Sequence, residues 1–341
     1  MIDMNRVFKK NSVFAIIFAA CSWGGFLDRA YAEACPSEDF SKFLTVFSAT
    51  PEVQQRFTAV KVQALVLKPA KQTDRFEPQT TDVANASLAY PLMGPIISDK
   101  TDGVQIEAVD DRHVRVIDKR AGHSDIKVFN FSRQTCWVLA GMEDWSISEK
   151  DLSAAVQPKM NRSESLCFQR GRAYAGLGGV EQYPLTAEFF EAALENYVCA
   201  AASGDPQASL NAASLSLSGM APQLETEKVE ALFKAASTTL ADGAAGLSSF
   251  YCYGNNVAAD GPCQHPEQAE KELVRAVSMG SSDATNYLGY TLETGELRTM
   301  DLDRAIACYR LAASMGNQTA ADNLKRLSKQ ATDVSTTGHC Y

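Results

Sequence analysis

The sequence predicts an α+β N-terminal domain followed by an all-α solenoid of about four helix-pair repeats. Three observations predict it. Ala276-Val277-Ser278-Met279-Gly280 returns 36 positions later as Ala312-Ala313-Ser314-Met315-Gly316, and the same offset carries Ala284 onto Ala320 and Leu288 onto Leu324. A period in the thirties marks stacked helix pairs, since no single pair can bury its apolar face alone. Before the repeats, the stretch from Val104 to Leu139 alternates apolar and polar residues between turn signals, as an antiparallel meander does. Two helical faces precede those strands.

The first 32 residues read as an address. Arg6, Lys9 and Lys10 precede an apolar run from Val13 to Leu27, and Ala30-Tyr31-Ala32 puts small residues where a signal peptidase reads. Ser22, Gly24 and Gly25 break the run, whereas a spanning helix needs about 20 apolar residues. Export with cleavage after Ala32 is the expectation, leaving a periplasmic or secreted protein with no transmembrane segment. A rival cleavage after Phe18-Ala19-Ala20 would make Cys21 a lipidated N-terminus.

The full sequence has the composition of a globular protein, with 45% apolar and 21% charged residues among 341, enough for two domains. Cleavage after Ala32 removes four bases and two acids, so 32 bases and 41 acids become 28 and 39, a net charge of −11. Such a chain, without a basic stripe, is a poor partner for nucleic acid. Eight of the nine cysteines lie beyond Ala32, and an even count in an exported protein points to disulfides. Zinc would need close Cys/His spacing. Nothing closer than Cys252 and Cys263 occurs, and His113, His123, His265 and His339 stand isolated, so neither metal nor other cofactor is expected.

Residues 33–150 make up the first domain. Phe40, Phe43, Leu44 and Phe47 share one helical face, with Ser37 or Asp39 as N-cap. Thr50-Pro51 opens a short second helix through Phe57. Val60 to Val66 alternates as a first strand, and Lys68 to Leu88, polar and containing Pro69 and Pro78, reads as an irregular loop. Val104–Ala108, Val114–Ile117, Ile126–Phe131 and Cys136–Leu139 then form the meander, which helices on one face would cover. The order of elements resembles the cone-shaped domains of the nuclear-transport-factor-two-like group. Cys35 and Cys136, alone in this half, are expected to pair.

Residues 151–164 read as a linker, 165–329 as the repeat domain and 330–341 as a C-terminal tail. Gly204, Ala208 and Gly219 match Gly280, Ala284 and Gly295 at an offset of 76, two units of 38. Gly243, Leu247 and Gly254 hold the places between, with Thr239 where the first glycine would stand. An earlier unit runs from Leu166 to Ser203, and a capping helix from Ala320 to Lys329 closes the count. Small residues let paired helices approach, and the glycines end helices at positive backbone angles.

These residues carry a family resemblance. Tyr174 to Val180, Ala192 to Ala201, Gly204-Asp205-Pro206-Gln207-Ala208, Leu288-Gly289-Tyr290 and Ala305 to Ala313 resemble Sel-one-like repeats, which are related to tetratricopeptide repeats. About half the chain is covered. In an antiparallel pair the start of the first helix lies beside the end of the second, which is where Cys167 and Cys199 fall. Cys252 and Cys263 flank a lengthened loop, and Cys308 remains for Cys340. Pairing within a repeat is also what the resemblance to exported, cysteine-rich bacterial members implies.

The catalytic patterns in the sequence each have a scaffolding explanation. Ser124-Asp125-Ile126-Lys127 matches the Ser-x-x-Lys of penicillin-recognising enzymes, yet it falls at a strand, where i and i+3 point to opposite faces. Gly176-Leu177-Gly178-Gly179 lacks the strand and the Lys-Ser of a phosphate loop and reads as an inter-helix turn. Glu293 with Glu296, or Asp301 with Asp303, could be offered as paired carboxylates, but acids gather at helix starts for dipole reasons. No catalytic residue is assigned. Tyr251, Tyr253, Tyr287, Tyr290 and Tyr309 are the candidate partner-binding residues, because tyrosine joins a rigid apolar body to a polar tip. The expected function is an exported adaptor or scaffold that contacts another protein or a cell-envelope component. The alternative, implied by the cysteine-rich relatives, is a weak β-lactamase or penicillin-binding activity.

Overall fold

Helix α1 (Phe40–Ala49) begins where Asp39 accepts the Lys42 N–H at 2.9 Å, so Asp39 is the cap, while Ser37 holds the Asp39 N–H. Thr50 caps α2 (Pro51–Arg56), with Pro51 supplying a preset first-turn backbone angle. The computed structural model describes residues 35–71, 75–98, 100–256, 261–297, 300–328 and 339–341. The expected signal peptide and the Cys21 alternative lie outside the described residues, as do most of the tail and Lys329.

Six strands follow: β1 (Thr58–Pro69), β2 (Phe76–Ala84), β3 (Val104–Asp110), β4 (His113–Asp118), β5 (Lys127–Arg133) and β6 (Trp137–Asp144). Their order in one sheet is β2-β1-β6-β5-β4-β3. β3 to β6 make the antiparallel meander, and β1 joins it parallel to β6. The stretch expected to be a loop contains β2, which pairs antiparallel with β1 from Lys61↔Ala84 to Pro69↔Phe76. It carries no apolar alternation because it is an edge strand, mostly exposed on both sides. An edge also tolerates Pro78, which has no N–H to donate.

The sheet is covered on both faces. Phe43, Leu44 and Phe47 of α1 pack with Val114, Val116, Phe129, Phe131, Trp137 and Leu139 on one side. Ile117, Val128 and Trp145 belong to a second core with Tyr174, Leu177, Phe189 and Phe190. One helical layer was expected; the second is supplied by the start of the solenoid. Period-two strands explain how neighbours Val128 and Phe129 are both buried, each in a different core. Residues 36–341 accordingly form one compact unit.

The solenoid comprises α3 (Arg162–Gly178) with α4 (Thr186–Ala201), α5 (Pro206–Leu217) with α6 (Thr226–Ser237), α7 (Ala241–Tyr253) with α8 (Pro266–Ser278), α9 (Ser282–Thr294) with α10 (Leu302–Ser314), and a last helix, α11 (Gln318–Ser328). Each helix packs on its sequence neighbour, and α5 on α7 and α7 on α9 also touch, so first helices of successive pairs form one layer. Gly280 and Gly316, the repeated glycines, have φ of +88° and +90° as the chain leaves α8 and α10. A side chain there would meet no neighbour but would strain the backbone. Gly176 to Gly178 are not a turn; they finish α3, and Gly179 is the C-cap.

Disulfides join Cys167 to Cys199, Cys252 to Cys263 and Cys308 to Cys340. Cys35 and Cys136 are disulfide-bonded as well. No helix among the described residues is long and apolar enough to cross a membrane.

Candidate functional site

Four of the five candidate tyrosines come together at the far end of the solenoid. Tyr253, the last residue of α7, and Tyr287, on the second turn of α9, both donate hydroxyl hydrogen bonds to Glu296 Oε1, the latter at 3.0 Å. One helical turn on, Tyr290 stacks on Tyr287 with ring centroids 6.1 Å apart and planes 14° from parallel. Tyr290 remains 45% exposed. Such a pair is worth about 0.5–1.5 kcal/mol beyond its area burial, so the exposed ring rests on a fixed one.

Tyr309, on α10, is different. Its ring is fully buried against α9, and its hydroxyl donates to Glu293 Oε2 at 2.8 Å. A Cβ on Gly289 would lie 2.9 Å from that ring, so the absence of a side chain permits the contact. Glu293 is also held by both guanidinium nitrogens of Arg326 from α11, each at 2.7 Å. This fork-to-fork pair is the strong form of an ion pair. The Arg326 hydrogen bonds hold the Glu293 carboxyl below its ordinary range. Burial raises the Tyr287 and Tyr309 hydroxyls well above the usual phenol value, with Glu296 and Glu293 adding to it. Tyr253 is raised first by its bond to Glu296. These phenols are neutral donors throughout the physiological range.

Tyr251 does not join them. It lies at the seam between the two solenoid cores, packed against both. Among the candidates, then, Tyr290 offers surface, Tyr287 and Tyr253 support it, Tyr309 is packing, and Tyr251 stands apart.

The sequence did carry a signal for the two carboxylates. Glu293 sits in the last turn of α9 and Glu296 just beyond it, where the negative helix end disfavours acids. Acids placed there need another reason, and the tyrosine hydroxyls supply it. Asp301, by contrast, caps α10 through the Arg304 N–H at 3.0 Å. Arg326 has no mark in the sequence, because only the fold brings α11 onto α9.

The Ser-x-x-Lys pattern is not assembled. Ser124 lies in the turn before β5 rather than on the strand. Its hydroxyl donates to Glu195 Oε2 at 3.2 Å and accepts from Asn196 Nδ2 at 2.5 Å, while Lys127 pairs with Asp125 at 3.3 Å. The Ser124 carbonyl accepts from the buried Tyr174 hydroxyl at 2.7 Å, which also takes the Ile147 N–H. These bonds join the sheet to α3 and α4. Among the described residues no three His, Cys, Asp or Glu side chains form a metal-binding group.

No family model matches the sequence, and no curated protein matches it. Solved structures do. A protective antigen of uropathogenic Escherichia coli displaying an SLR fold is 20% identical, with a TM-score of 0.41 over 50% of this chain and 35% of that one. A Sel1 repeat protein from Oxalobacter formigenes is 21% identical, with a TM-score of 0.40 over 51% and 66%. Helicobacter pylori cysteine rich protein B is 19% identical, with a TM-score of 0.31 over 43% and 99%. The chain thus spans about a third of the antigen's length. On its own helix pairs, this is a disulfide-linked helical-repeat protein, similar to Sel1 repeat proteins.

Proposed function

We propose that the chain is an exported adaptor that holds another protein of the cell envelope on the Tyr287–Tyr290 platform of its fourth helix pair. The observation carrying this reading is the exposed Tyr290 ring, stacked on a Tyr287 that is itself fixed through Glu296. Interfaces favour tyrosine at their energetic centre, and a ring that is already immobile loses little entropy on binding. Three disulfides, two within repeats and one from α10 to the tail, support an oxidising compartment, periplasmic or secreted. Residues 1–32 would be removed after Ala32. The sheet with α1 and α2 would be a cone of the nuclear-transport-factor-two-like kind; a flat sheet in a crystal structure would remove that part.

The test is capture from envelope extracts by the oxidised chain and by its Tyr290→Ala variant. A partner retained by the first and lost by the second supports the reading. Equal retention by both defeats it. Intact mass of the exported protein checks the address separately: a chain beginning at Glu33 is expected, and a retained leader or a lipidated Cys21 would overturn it.

A further inference from the structure

A cavity of about 620 Å³ lies where the β1–β2 edge of the sheet meets α3. Small-molecule sites typically run from about 300 to 1,000 Å³. One wall is the start of β2, with Arg75 and Phe76; another is the segment after residue 150; the third is one face of α3. Gln169, Arg172 and Gly176 lie on that face at i, i+3 and i+7.

The walls are fixed before any ligand arrives. Gln169 clamps the Ser153 backbone in both directions, accepting its N–H at 2.8 Å and donating to its carbonyl at 3.2 Å. The Gln157 N–H is held by Ser165 at 2.8 Å. The charged groups are the opposite: neither the Arg75 nor the Arg172 guanidinium has an ion-pair or hydrogen-bond partner among the described residues, and Asp151, whose carboxylate is also unpaired there, lines the same space. In a chain with a formal net charge of −9, this concavity holds two guanidinia against a single carboxylate and is locally positive.

We infer that this cavity binds a small zwitterion, an amino acid or short peptide, with its carboxylate on Arg75 and Arg172 and its ammonium on Asp151. Planar guanidinia match a carboxylate with paired hydrogen bonds, and a single opposing acid balances one positive charge. Phe76, Leu152 and Pro69 provide an apolar side for the remainder. Gly176 keeps the space open, since a Cβ built on it meets nothing within 4 Å. This site is separate from the tyrosine platform and does not depend on the adaptor reading.

Calorimetric titration of the oxidised full-length chain tests it, using L-alanyl-L-alanine, succinate and inorganic phosphate as probes. Saturable binding of the dipeptide is expected. Arg172→Gln should weaken it at least about tenfold, the cost of a charge-assisted contact. Gly176→Leu should abolish it by filling the cavity from a helical position that has room. Asp151→Asn should weaken the dipeptide and spare succinate. Arg172 also lines a neighbouring concavity of about 480 Å³ with Asn211, so Asn211→Ala is the control and should change nothing. The proposal is overturned by no saturable dipeptide binding, by binding that survives Gly176→Leu, by loss with Asn211→Ala, or by phosphate binding more tightly than both carboxylates. Should Gly176→Leu unfold, as far-UV circular dichroism would show, Arg75→Gln takes its place with an expected loss of the same size as Arg172→Gln; unchanged affinity there overturns the proposal too.

Discussion

The first helix pair and the fourth are built alike and used differently. In each, a glycine of the first helix lets a tyrosine of the second lie flat against it: Gly171 under Tyr197 and Gly289 under Tyr309, where an added Cβ would come within 2.7 and 2.9 Å of the ring. Each pair is also stapled by a disulfide, Cys167–Cys199 between α3 and α4 and Cys308–Cys340 between α10 and the C-terminal tail, and both close loops of the same sequence separation, 32. The residue after the glycine is exposed in both, but it is Arg172 in one and Tyr290 in the other. Beyond that, the first pair gives Tyr174 and Phe189 to a core shared with Trp145 of the sheet region, whereas the fourth leaves its platform open. The packing positions of a repeat are therefore interchangeable. What a pair displays is set by what stands next to it.

If that is right, the deepest cut should be the same in both places. Tyr197→Ala and Tyr309→Ala should each destabilise by about 3–5 kcal/mol, as large buried aromatics do. Urea unfolding followed by circular dichroism measures both, and a twofold difference between them would break the analogy. Next come the staples. Equal loop lengths give Cys167–Cys199 and Cys308–Cys340 the same chain-entropy contribution, about 3–4 kcal/mol, with somewhat less for Cys252–Cys263 and its separation of 11. Serine pairs compared under identical conditions test this. A bridge that costs far less in one pair than in the other would show that the reduced chain is already ordered there.

A subtler change should separate the pairs. Tyr174→Phe strands the buried Ile147 N–H and should cost about 1–3 kcal/mol. Tyr290→Phe, at the surface, should stay within about 0.5 kcal/mol. Thermal unfolding resolves the two. The mildest effect is that of alkali. Burial raises the Tyr174, Tyr287 and Tyr309 hydroxyls above the unfolded phenol value. A raised folded pKa means that the stabilisation is complete below about pH 10 and is lost as pH climbs past it. Phenolate absorbance should therefore show a fraction of tyrosines that ionise only together with unfolding. Smooth titration of every tyrosine in the folded chain would contradict the burial of Tyr174, Tyr287 and Tyr309.

Much of this fold was legible because the relevant forces are local. The 36-residue offset, the Asp39 and Thr50 caps and the glycines at positive φ each follow from the chain's own neighbours. β2 was hidden because an edge strand buries little and so leaves no apolar period to read. The second covering of the sheet was hidden for the opposite reason, since Ile117 and Val128 look like ordinary core until α3 and α4 arrive. At the candidate site the tyrosines stood out by type. Their ranking did not, because α10 turns Tyr309 inward and α9 turns Tyr290 outward, and Arg326 reaches Glu293 from 33 residues away.

The sheet does more than precede the repeats. By burying the outer side of α3 and α4 it acts as the terminal unit of the stack, while α11 hides Ala320 and Leu327 and turns Gln318, Asp322 and Lys325 outward. Among the described residues, the buried sides of the first and last helices of the stack are thus already covered. A further helix pair would therefore fit most readily between existing pairs, where it meets the same packing surfaces on either side.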